Sequence, residues 1–211
     1  MTQDERMARG YLWYDTNEYF EEQARAKDLL WEFNHSRPSE TEKRKQLQKQ
    51  IFGAVGDHTI IQQPVTAMRG CTVKIGDCCY LNSNAIFVDD IEITLGDGVL
   101  FGPNVTVSTT GHPVDPDLRA TGAMYSYPVH IGDRVWVGAN TVIMPGVTIG
   151  ADTVIGAGSV VTRDVPAGVV AFGNPCRVRR EITERDREYY YHDRSIHEME
   201  GMVMQTEVFD D

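Results

Sequence analysis

One histidine stands at the point where a regular sequence pattern gives way to a long irregular stretch. His112 lies within Thr110-Gly111-His112-Pro113, and the proline restricts the backbone beside it. An imidazole titrates near neutral pH, so this side chain is suited to take a proton from a substrate as a general base. A solvated loop histidine without a chemical role is the alternative interpretation.

Two other sets of polar residues are weaker candidates for a site. His130 directly precedes an inward-facing aliphatic residue, so its side chain should point away from the core and be structural. Asn82, Asp89 and Asp90 form a polar group on early repeats, but a surface aspartate pair is more often a solvated face than a site. Neither set by itself predicts a chemical function.

A short basic segment stands out near the end of a chain that is otherwise acidic. It contains Arg177, Arg179 and Arg180. Guanidinium groups bind phosphate through paired hydrogen bonds, so this segment suits a phosphate-bearing ligand. The start of a helix, balanced by Glu181 and Glu184, explains the same residues without a ligand.

A six-residue repeat between residues 129 and 175 is the element that must position these side chains. One position of the repeat is always aliphatic and β-branched, and the position four residues later is always small or β-branched. The residue just before the small position belongs mostly to types that tolerate a positive φ angle. The aliphatic members are Ile131, Val137, Ile143, Ile149, Ile155 and Val161, and the small members are Val135, Thr141, Val147, Thr153, Ser159 and Val165.

This period is typical of a parallel β-helix. Each unit of six supplies a short strand and a turn, three units close a triangular coil, and the aliphatic and small residues face inward. Six residues are too few to hold the helices that a doubly wound α/β sheet needs between its strands. A prism packed in this way has no internal cavity, so a site must lie on its outside, at a loop or between subunits.

The repeat is less regular before residue 129. The coils are expected to begin near Thr72, and a two-residue slip separates Phe87 from Leu95, where a coil can bulge. The six-residue repeat is then interrupted by a loop over residues 112–128. Long loops inside a compact domain are usually functional or disordered, and departure from a regular wall favours function.

A helical segment is predicted before the coils. Thr16 or Asn17 can cap a first helix, and Ser39 with Glu42 has the spacing of a capping box for a second helix that reaches Ile51. The apolar side of the first helix is predicted to consist of Phe20, Ala24, Leu29, Leu30 and Phe33.

The chain is therefore divided into three parts. Residues 1–56 form the helical segment, residues 57–178 the β-helix domain with its loop at 112–128, and residues 179–211 a C-terminal helix followed by an acidic tail. The C-terminal helix is expected to include the aromatic run Tyr189, Tyr190 and Tyr191. The tail from Glu198 to Asp211 is expected to be mobile.

Composition narrows the class of protein. The 211 residues carry a net charge of −11, which argues against binding to nucleic acid or to anionic membranes. No apolar run approaches the roughly 20 residues of a membrane span. The first nine residues are charged and lack the apolar core of a signal peptide, which predicts a cytoplasmic protein. Of the four cysteines, Cys79 falls on a small inward position, so a core thiol is expected there rather than a metal ligand or a disulfide.

Several motifs, in this order along the chain, carry a resemblance to a known family. They are EFNHSRP at residues 32–38, VDD at 88–90, GPNV at 102–105, TGHP at 110–113, MYS at 124–126, VWVG at 135–138, IGAGS at 155–159 and PCR at 175–177. Together they resemble the sugar O-acetyltransferases of the maltose/galactoside (thiogalactoside) type, whose hexapeptide repeats form a left-handed parallel β-helix. The resemblance extends from Met7 to about Tyr190 and includes the helical segment.

The resemblance implies roles for particular positions. His112 matches the catalytic histidine that accepts the proton of the sugar hydroxyl, and Asp15, Asn82, Asp90 and Met124 match positions in the acceptor-sugar pocket. The positions that match the acetyl-CoA groove are Ala139, Ala157, Thr162, Arg163, Arg177 and Arg180. At the first of these, the backbone amide is the group expected at the thioester. The resemblance also implies a homotrimer with active sites between subunits, and catalysis that needs no metal.

The sequence thus predicts acetyl transfer from acetyl-CoA to a sugar hydroxyl. Met68 replaces a serine of the galactoside enzymes, so the resemblance does not extend to a galactoside preference. One alternative is an acetyltransferase for another hydroxylated molecule, such as an antibiotic or serine. A second is a metal-dependent hydratase resembling the γ-type carbonic anhydrases, which needs three histidines at a subunit seam. A third is a non-catalytic hexapeptide scaffold.

Overall fold

The computed structural model describes residues 1–198 and begins with three helices, α1 (Gln3–Ala8), α2 (Asn17–His35) and α3 (Thr41–Ile51). Thr16 caps α2 as predicted, because its hydroxyl accepts a hydrogen bond from the backbone amide of Tyr19. The capping box predicted for α3 is wrong. Among the described residues no side chain caps α3, and the carboxylate of Glu40 instead accepts a hydrogen bond from the amide of Arg37.

The buried side of α2 differs in part from the predicted one. Leu30 and Phe33 are buried as predicted, whereas Phe20 is 53% exposed. Its neighbour Tyr19 is buried instead, and the Tyr19 hydroxyl donates a hydrogen bond to the carboxylate of Asp90. The first turns of α2 are therefore oriented by a polar contact with the coils, which a hydrophobic pattern does not reveal.

Most of the chain after α3 forms a three-sided prism of parallel strands, with one sheet on each side. Sheet 1 contains β1 (Ala54–Val55), β4 (Val73–Ile75), β7 (Ile93–Leu95), β12 (Val129–Ile131) and β15 (Thr148–Ile149). Sheet 2 contains β2 (Ile60–Ile61), β5 (Tyr80–Leu81), β8 (Leu100–Phe101), β13 (Trp136–Val137), β16 (Val154–Ile155) and β18 (Val169–Phe172). Sheet 3 contains β3 (Val65–Ala67), β6 (Ala85–Val88), β9 (Thr106–Ser108), β14 (Val142–Ile143) and β17 (Val160–Val161).

The coils begin at Ala54, so the predicted start near Thr72 is wrong. Val55 pairs with Ile75, which in turn pairs with Leu95, and each partner lies 20 positions further along the chain. In the later coils Ile131 pairs with Ile149, only 18 positions away. The two extra residues in each early coil hide the period of six from a search of the sequence.

The inward positions of the repeat are buried as predicted. All twelve aliphatic and small residues of the six repeats are 7% exposed or less. Burial of one aliphatic side chain contributes roughly 1.5–3 kcal/mol, so this column is the main stabilising element of the prism. Five of the six turn positions have a positive φ angle, namely Arg134, Asn140, Gly146, Asp152 and Gly158.

The prism has three edges, where the chain turns from one sheet to the next. On the first edge, between sheets 1 and 2, lie residues 56–59, 76–79, 96–99 and 132–135. On the second edge, between sheets 2 and 3, lie residues 62–64, 82–84, 102–105, 138–141 and 156–159. On the third edge, between sheets 3 and 1, lie residues 68–72, 89–92, 109–128, 144–147 and 162–164. The extra residues of the early coils and the long loop therefore share the third edge.

The long loop and the C-terminal part contain short elements. The loop holds β10 (Thr110–Gly111), α4 (Pro116–Ala120) and β11 (Tyr125–Ser126), and the C-terminal part holds β19 (Arg177–Glu181), α5 (Glu184–Glu188), β20 (Tyr189–Tyr191), β21 (Arg194–Ser195) and a 3-10 helix (Ile196–Glu198). The predicted C-terminal helix is thus limited to α5, and the aromatic run is a strand. The predicted mobile tail lies outside the described residues from position 199 onward. Within residues 1–198, no helix combines the length and apolar character that a membrane span requires.

Candidate active site

The long loop of the third edge is closed at its base. Strands β10 and β11 pair antiparallel, and the hydroxyl oxygens of Thr110 and Ser126 are 2.7 Å apart. The indole Nε1 of Trp13 donates a hydrogen bond to the same Ser126 hydroxyl at 3.0 Å. The backbones of Trp13 and Met124 also exchange two hydrogen bonds. The segment before α2 therefore fixes the loop against the prism.

His112 follows β10 directly, and its ring is exposed in the single chain. Its Nδ1 lies 3.1 Å from the carbonyl oxygen of Ala123. Because a carbonyl oxygen only accepts hydrogen bonds, this contact assigns the ring proton to Nδ1 and leaves a lone pair on Nε2. A ring held in this tautomer is able to accept a proton from a bound hydroxyl.

Two carboxylates lie close to His112. Partial burial, followed by the negative charge of Asp90, raises the pKa of Asp15, while a positive charge on His112 opposes that effect. Such effects fall off with distance, so Asp15 lies within electrostatic range of both Asp90 and His112. Asp90 is only 5% exposed, and burial together with its charge raises the pKa of the Tyr19 hydroxyl that donates to it.

Asp89 anchors the bulge of the preceding coil. Its Oδ1 accepts hydrogen bonds from the amides of Met68 and Arg69, at 2.6 and 3.2 Å. Its Oδ2 accepts from the amide of Gly70 at 2.6 Å and from the Thr72 hydroxyl at 2.7 Å. Burial raises the pKa of the Asp89 carboxyl to about 6, and these hydrogen bonds oppose a larger rise, so the group is ionised at neutral pH.

The predicted solvated aspartate pair is therefore wrong, because Asp89 and Asp90 are 0% and 5% exposed. The prediction rested on residue type, and it missed the extra residues that fold over both carboxylates. Asn82 does not join the two aspartates, since it lies on the second edge.

Replacement of Asp89 by asparagine should lower the free energy of unfolding by about 2–3 kcal/mol at pH 7. An amide offers one acceptor oxygen and places its own donors against the remaining backbone donors. Urea unfolding would measure the change, with the exposed Asp117→Asn as a matched control. An Asp89→Asn protein as stable as the wild type would show that the bulge does not depend on this carboxylate.

A second group of predicted residues lies on the second edge, across sheet 3 from His112. It comprises Asn82, Ala139 and Ala157, in different coils. The coils stack closely here, because a Cβ on Gly138 would lie 2.5 Å from the backbone nitrogen of Ala157. Only glycine permits this approach, because a side chain at this position would collide with the backbone of the next coil.

The remaining predicted residues are near the end of the prism. Thr162 and Arg163 follow β17 on the third edge, and Arg177 and Arg180 lie on β19. Arg180 forms a two-fold ion pair with Asp186 at 2.6 and 2.7 Å, which raises the pKa of Arg180 and lowers the pKa of Asp186. All three predicted arginines are exposed.

One chain therefore brings together only part of the predicted site. His112, Asp15, Asp90 and Met124 share the loop side of the third edge, whereas Asn82 and the two alanines occupy the second edge. Sheet 3 separates the two groups.

Two residues that hold the third edge were missed by the sequence analysis. Tyr19 bonds Asp90, and Arg69 donates to the backbone oxygen of Asp90 at 3.1 Å while forming an ion pair with Glu22 at 2.7 Å. These contacts join helix α2 to coils some 50–70 residues further along the sequence, and no local sequence motif predicts them.

The outward sides of the three sheets differ in character. On sheet 2, Ile60, Leu100 and Trp136 form an apolar column and are 45%, 46% and 53% exposed. On sheet 1 the outward residues are mostly polar, and His130 is bonded through Nδ1 to the Thr94 hydroxyl at 2.7 Å. His130 thus points outward from the prism, as predicted.

Comparison with known proteins places the chain among acetyltransferases. Residues 128–163 match the family described as bacterial transferase hexapeptide (six repeats), and residues 6–56 match the maltose acetyltransferase hexapeptide capping motif. The galactoside O-acetyltransferase of Escherichia coli strain K12 is 50% identical over 197 residues, which cover 93% of this chain and 97% of that protein.

Solved structures give the same result. A galactoside acetyltransferase in complex with coenzyme A superimposes with a TM-score of 0.90 at 49% identity, over 93% of this chain and 98% of that one. A maltose O-acetyltransferase from Clostridium difficile 630 superimposes with a TM-score of 0.84 at 41% identity, over 87% of this chain and 98% of that one. The predicted left-handed parallel β-helix with its N-terminal helices is confirmed.

Proposed function

We propose that this chain, which belongs to the hexapeptide-repeat O-acetyltransferases of the maltose/galactoside type, transfers acetyl from acetyl-CoA to a hydroxyl of a sugar or glycoside. The observation that carries the proposal is His112, held in a proton-accepting tautomer beside two carboxylates in a chain half identical to a galactoside O-acetyltransferase. Acetyl-CoA consumption measured across a panel of sugars and glycosides would test it. Turnover should depend on the sugar, and no turnover with any hydroxylated acceptor would overturn the proposal.

The reaction needs one base and good positioning. Nε2 of His112 takes the proton of the acceptor hydroxyl as its oxygen attacks the thioester carbonyl. The backbone amide at Ala139 donates to the oxygen that becomes negatively charged. When the carbon–sulfur bond breaks, the coenzyme A thiolate takes up the proton that the imidazolium holds. The thioester is already activated, so no covalent enzyme intermediate is required.

The acceptor pocket is assigned to residues of both edges. Asp15, Asp90 and Met124 are assigned to the same side of the third edge as His112, and the carboxylates are suited to accept hydrogen bonds from sugar hydroxyls. Asn82 completes the pocket from the second edge of a neighbouring subunit. Met68, whose amide is bonded to Asp89, offers no side-chain hydroxyl to a galactoside.

The functional unit is a homotrimer in which the third edge of one prism faces the second edge of the next. Two observations support this arrangement. The predicted site residues are split between two edges of a single chain, and the exposed apolar column of sheet 2 is of the kind that subunit contacts bury. Cyclic head-to-tail packing of three copies joins the two edges at every contact.

Light scattering at micromolar concentration should give three times the chain mass of 23.7 kDa. The mass should stay constant on dilution to the concentration used in activity assays, because each site needs two subunits. A monomer mass under conditions of full activity would contradict the shared site.

The acetyl-CoA groove runs between two subunits, from Ala139 and Ala157 on the second edge of one to Thr162 and Arg163 on the third edge of the next, and the arginines of β19 bind the nucleotide phosphates. The double variant Arg177→Ala/Arg180→Ala should raise KM for acetyl-CoA about ten- to a hundred-fold with little change in kcat. A charge-assisted phosphate contact contributes roughly 1.5–3 kcal/mol.

The two single variants should not be equal. Arg180 already pairs with Asp186, so a phosphate must compete for it, and Arg177→Ala should have the larger effect. Arg187→Ala, an exposed arginine of α5 that pairs with Glu184, is the matched control. If the double variant kept the KM of the wild type for acetyl-CoA, the basic segment would be solvent-exposed surface that does not bind the phosphates.

A cytoplasmic location is proposed as well. The four cysteines are free thiols, and thiols persist in reducing compartments.

A further inference from the structure

Three side chains of different chemistry meet on the first edge, away from the second and third edges that carry the proposed site. His58 lies in the turn of the first coil, and Asp77 and Cys78 lie in the same turn of the second coil. One ring nitrogen of His58, one carboxylate oxygen of Asp77 and Sγ of Cys78 all lie within 4.8 Å of one another. Nδ1 of His58 is 2.9 Å from Oδ2 of Asp77.

The backbone holds this cluster in place. Oδ1 of Asp77 accepts hydrogen bonds from the amides of His58 and Cys78, at 2.8 and 3.0 Å. The amide of Asp77 donates in turn to Oδ1 of Asp97 in the next coil at 2.7 Å. These bonds fix the carboxylate of Asp77, so its Oδ2 is directed at the imidazole of His58. The two residues lie in equivalent turns of successive coils, and the stacking of the coils holds these turns together.

The three groups are the ligands that a borderline divalent metal prefers. Imidazole nitrogen, thiolate sulfur and carboxylate oxygen are the usual zinc ligands, and three of them leave a fourth position for water. The surroundings are acidic, since Asp57, which also pairs with Lys49, precedes His58 in the chain, and Asp97 lies in the equivalent turn of the next coil. Negative charge beside the site favours a cation and disfavours an anionic ligand.

We propose that His58, Asp77 and Cys78 bind a divalent transition-metal ion, with Zn²⁺ the best match. Binding forms a bond between the metal and Sγ of Cys78, and the thiol proton is released to solvent. The ion ties the first coil to the second, at the end of the prism where α3 joins it. This role is structural and independent of acetyl transfer.

Cobalt(II) gives a direct readout, because a thiolate bound to Co²⁺ produces a charge-transfer absorption band. Tag-free protein with reduced cysteines, freed of metal by a chelator, would be titrated with Co²⁺ and then with Zn²⁺. One Co²⁺ per chain should bind with a thiolate band, and Zn²⁺ should displace it. Zn²⁺ should also raise Tm, because it binds the folded state.

Cys78→Ser should remove the thiolate band and weaken Zn²⁺ binding at least about ten-fold, since a hydroxyl replaces a thiolate ligand. Serine retains the Cβ that Cys78 carries at its positive φ of 54°, so the fold should be kept, and acetyl transfer should be unchanged. Cys71→Ser is the matched control, because Cys71 is exposed on the third edge and should have no effect. His58→Asn should weaken binding as Cys78→Ser does.

Three results would overturn the proposal. They are a wild-type protein without a thiolate band, a band that survives Cys78→Ser, and a band that Cys71→Ser removes. Activity measured alongside separates this inference from the proposed function, because loss of metal binding leaves the acetyltransferase assay unaffected.

Discussion

Replacement of His112 by alanine should lower kcat by about 10²–10⁴-fold, the usual contribution of a positioned general base. The ring is exposed and its hydrogen bond is to the Ala123 carbonyl within the same loop, so Tm should change little. The wild-type rate should fall on acidification because a protonated imidazole cannot accept a further proton. The variant should lose that dependence.

His130→Ala is the matched control for this result. It removes the same side chain from the outer side of sheet 1, where the ring is bonded to Thr94. Its kcat should stay close to that of the wild type. Near-normal turnover of His112→Ala on its best sugar would contradict the base assignment and favour the scaffold alternative.

The second large effect concerns a residue that one chain holds far from His112. Asn82→Ala should lower kcat/KM for the sugar by about 10- to 100-fold, since it removes a hydrogen bond to the bound acceptor. Sheet 3 lies between Asn82 and His112 in a single prism, so this loss is expected only if the second edge of a neighbour completes the site. Ser83→Ala, the adjacent position on the same edge, should have little effect.

Much of the fold follows from the sequence because the repeat is strict where it is longest. The six aliphatic positions from Ile131 to Val161 each occupy an inward position, and their period of six predicts the parallel β-helix. The start of the coils did not follow, because two extra residues on the third edge change the spacing of the early coils from 18 to 20. Val55, Ile75 and Leu95 pair with one another in successive coils, but their spacing of 20 residues is not a multiple of six.

The sequence predicts which residues form the candidate site, but it does not predict how these residues are arranged in space. His112 was identified from its position at the junction of repeat and loop, and its tautomer depends on the Ala123 carbonyl, eleven residues away. The Tyr19 hydroxyl donates to the buried Asp90, and the sequence analysis missed Tyr19 and predicted a solvated Asp90 because their contact joins α2 to a distant coil. Contacts between segments far apart in sequence leave no local pattern.

The same limit explains the metal-ligand cluster. His58 and Cys78 are 20 positions apart and fit no zinc-binding spacing, so no sequence motif pairs them. The stacking of equivalent turns in successive coils is what places them together. Alignment of the turns at a period of 20 is the signal that would have found them.

We propose that each site combines His112 of one subunit with the second edge of its neighbour. The most direct test is to co-express His112→Ala with Asn82→Ala and to compare the mixed trimers with each parent. In random mixtures about a quarter of the contacts join an intact His112 to an intact Asn82. The mixture should therefore recover about a quarter of wild-type activity, above both parents, of which Asn82→Ala keeps at most about a tenth. Activity no greater than the average of the two parents would contradict the shared site, because it would mean that each chain supplies both residues to its own site.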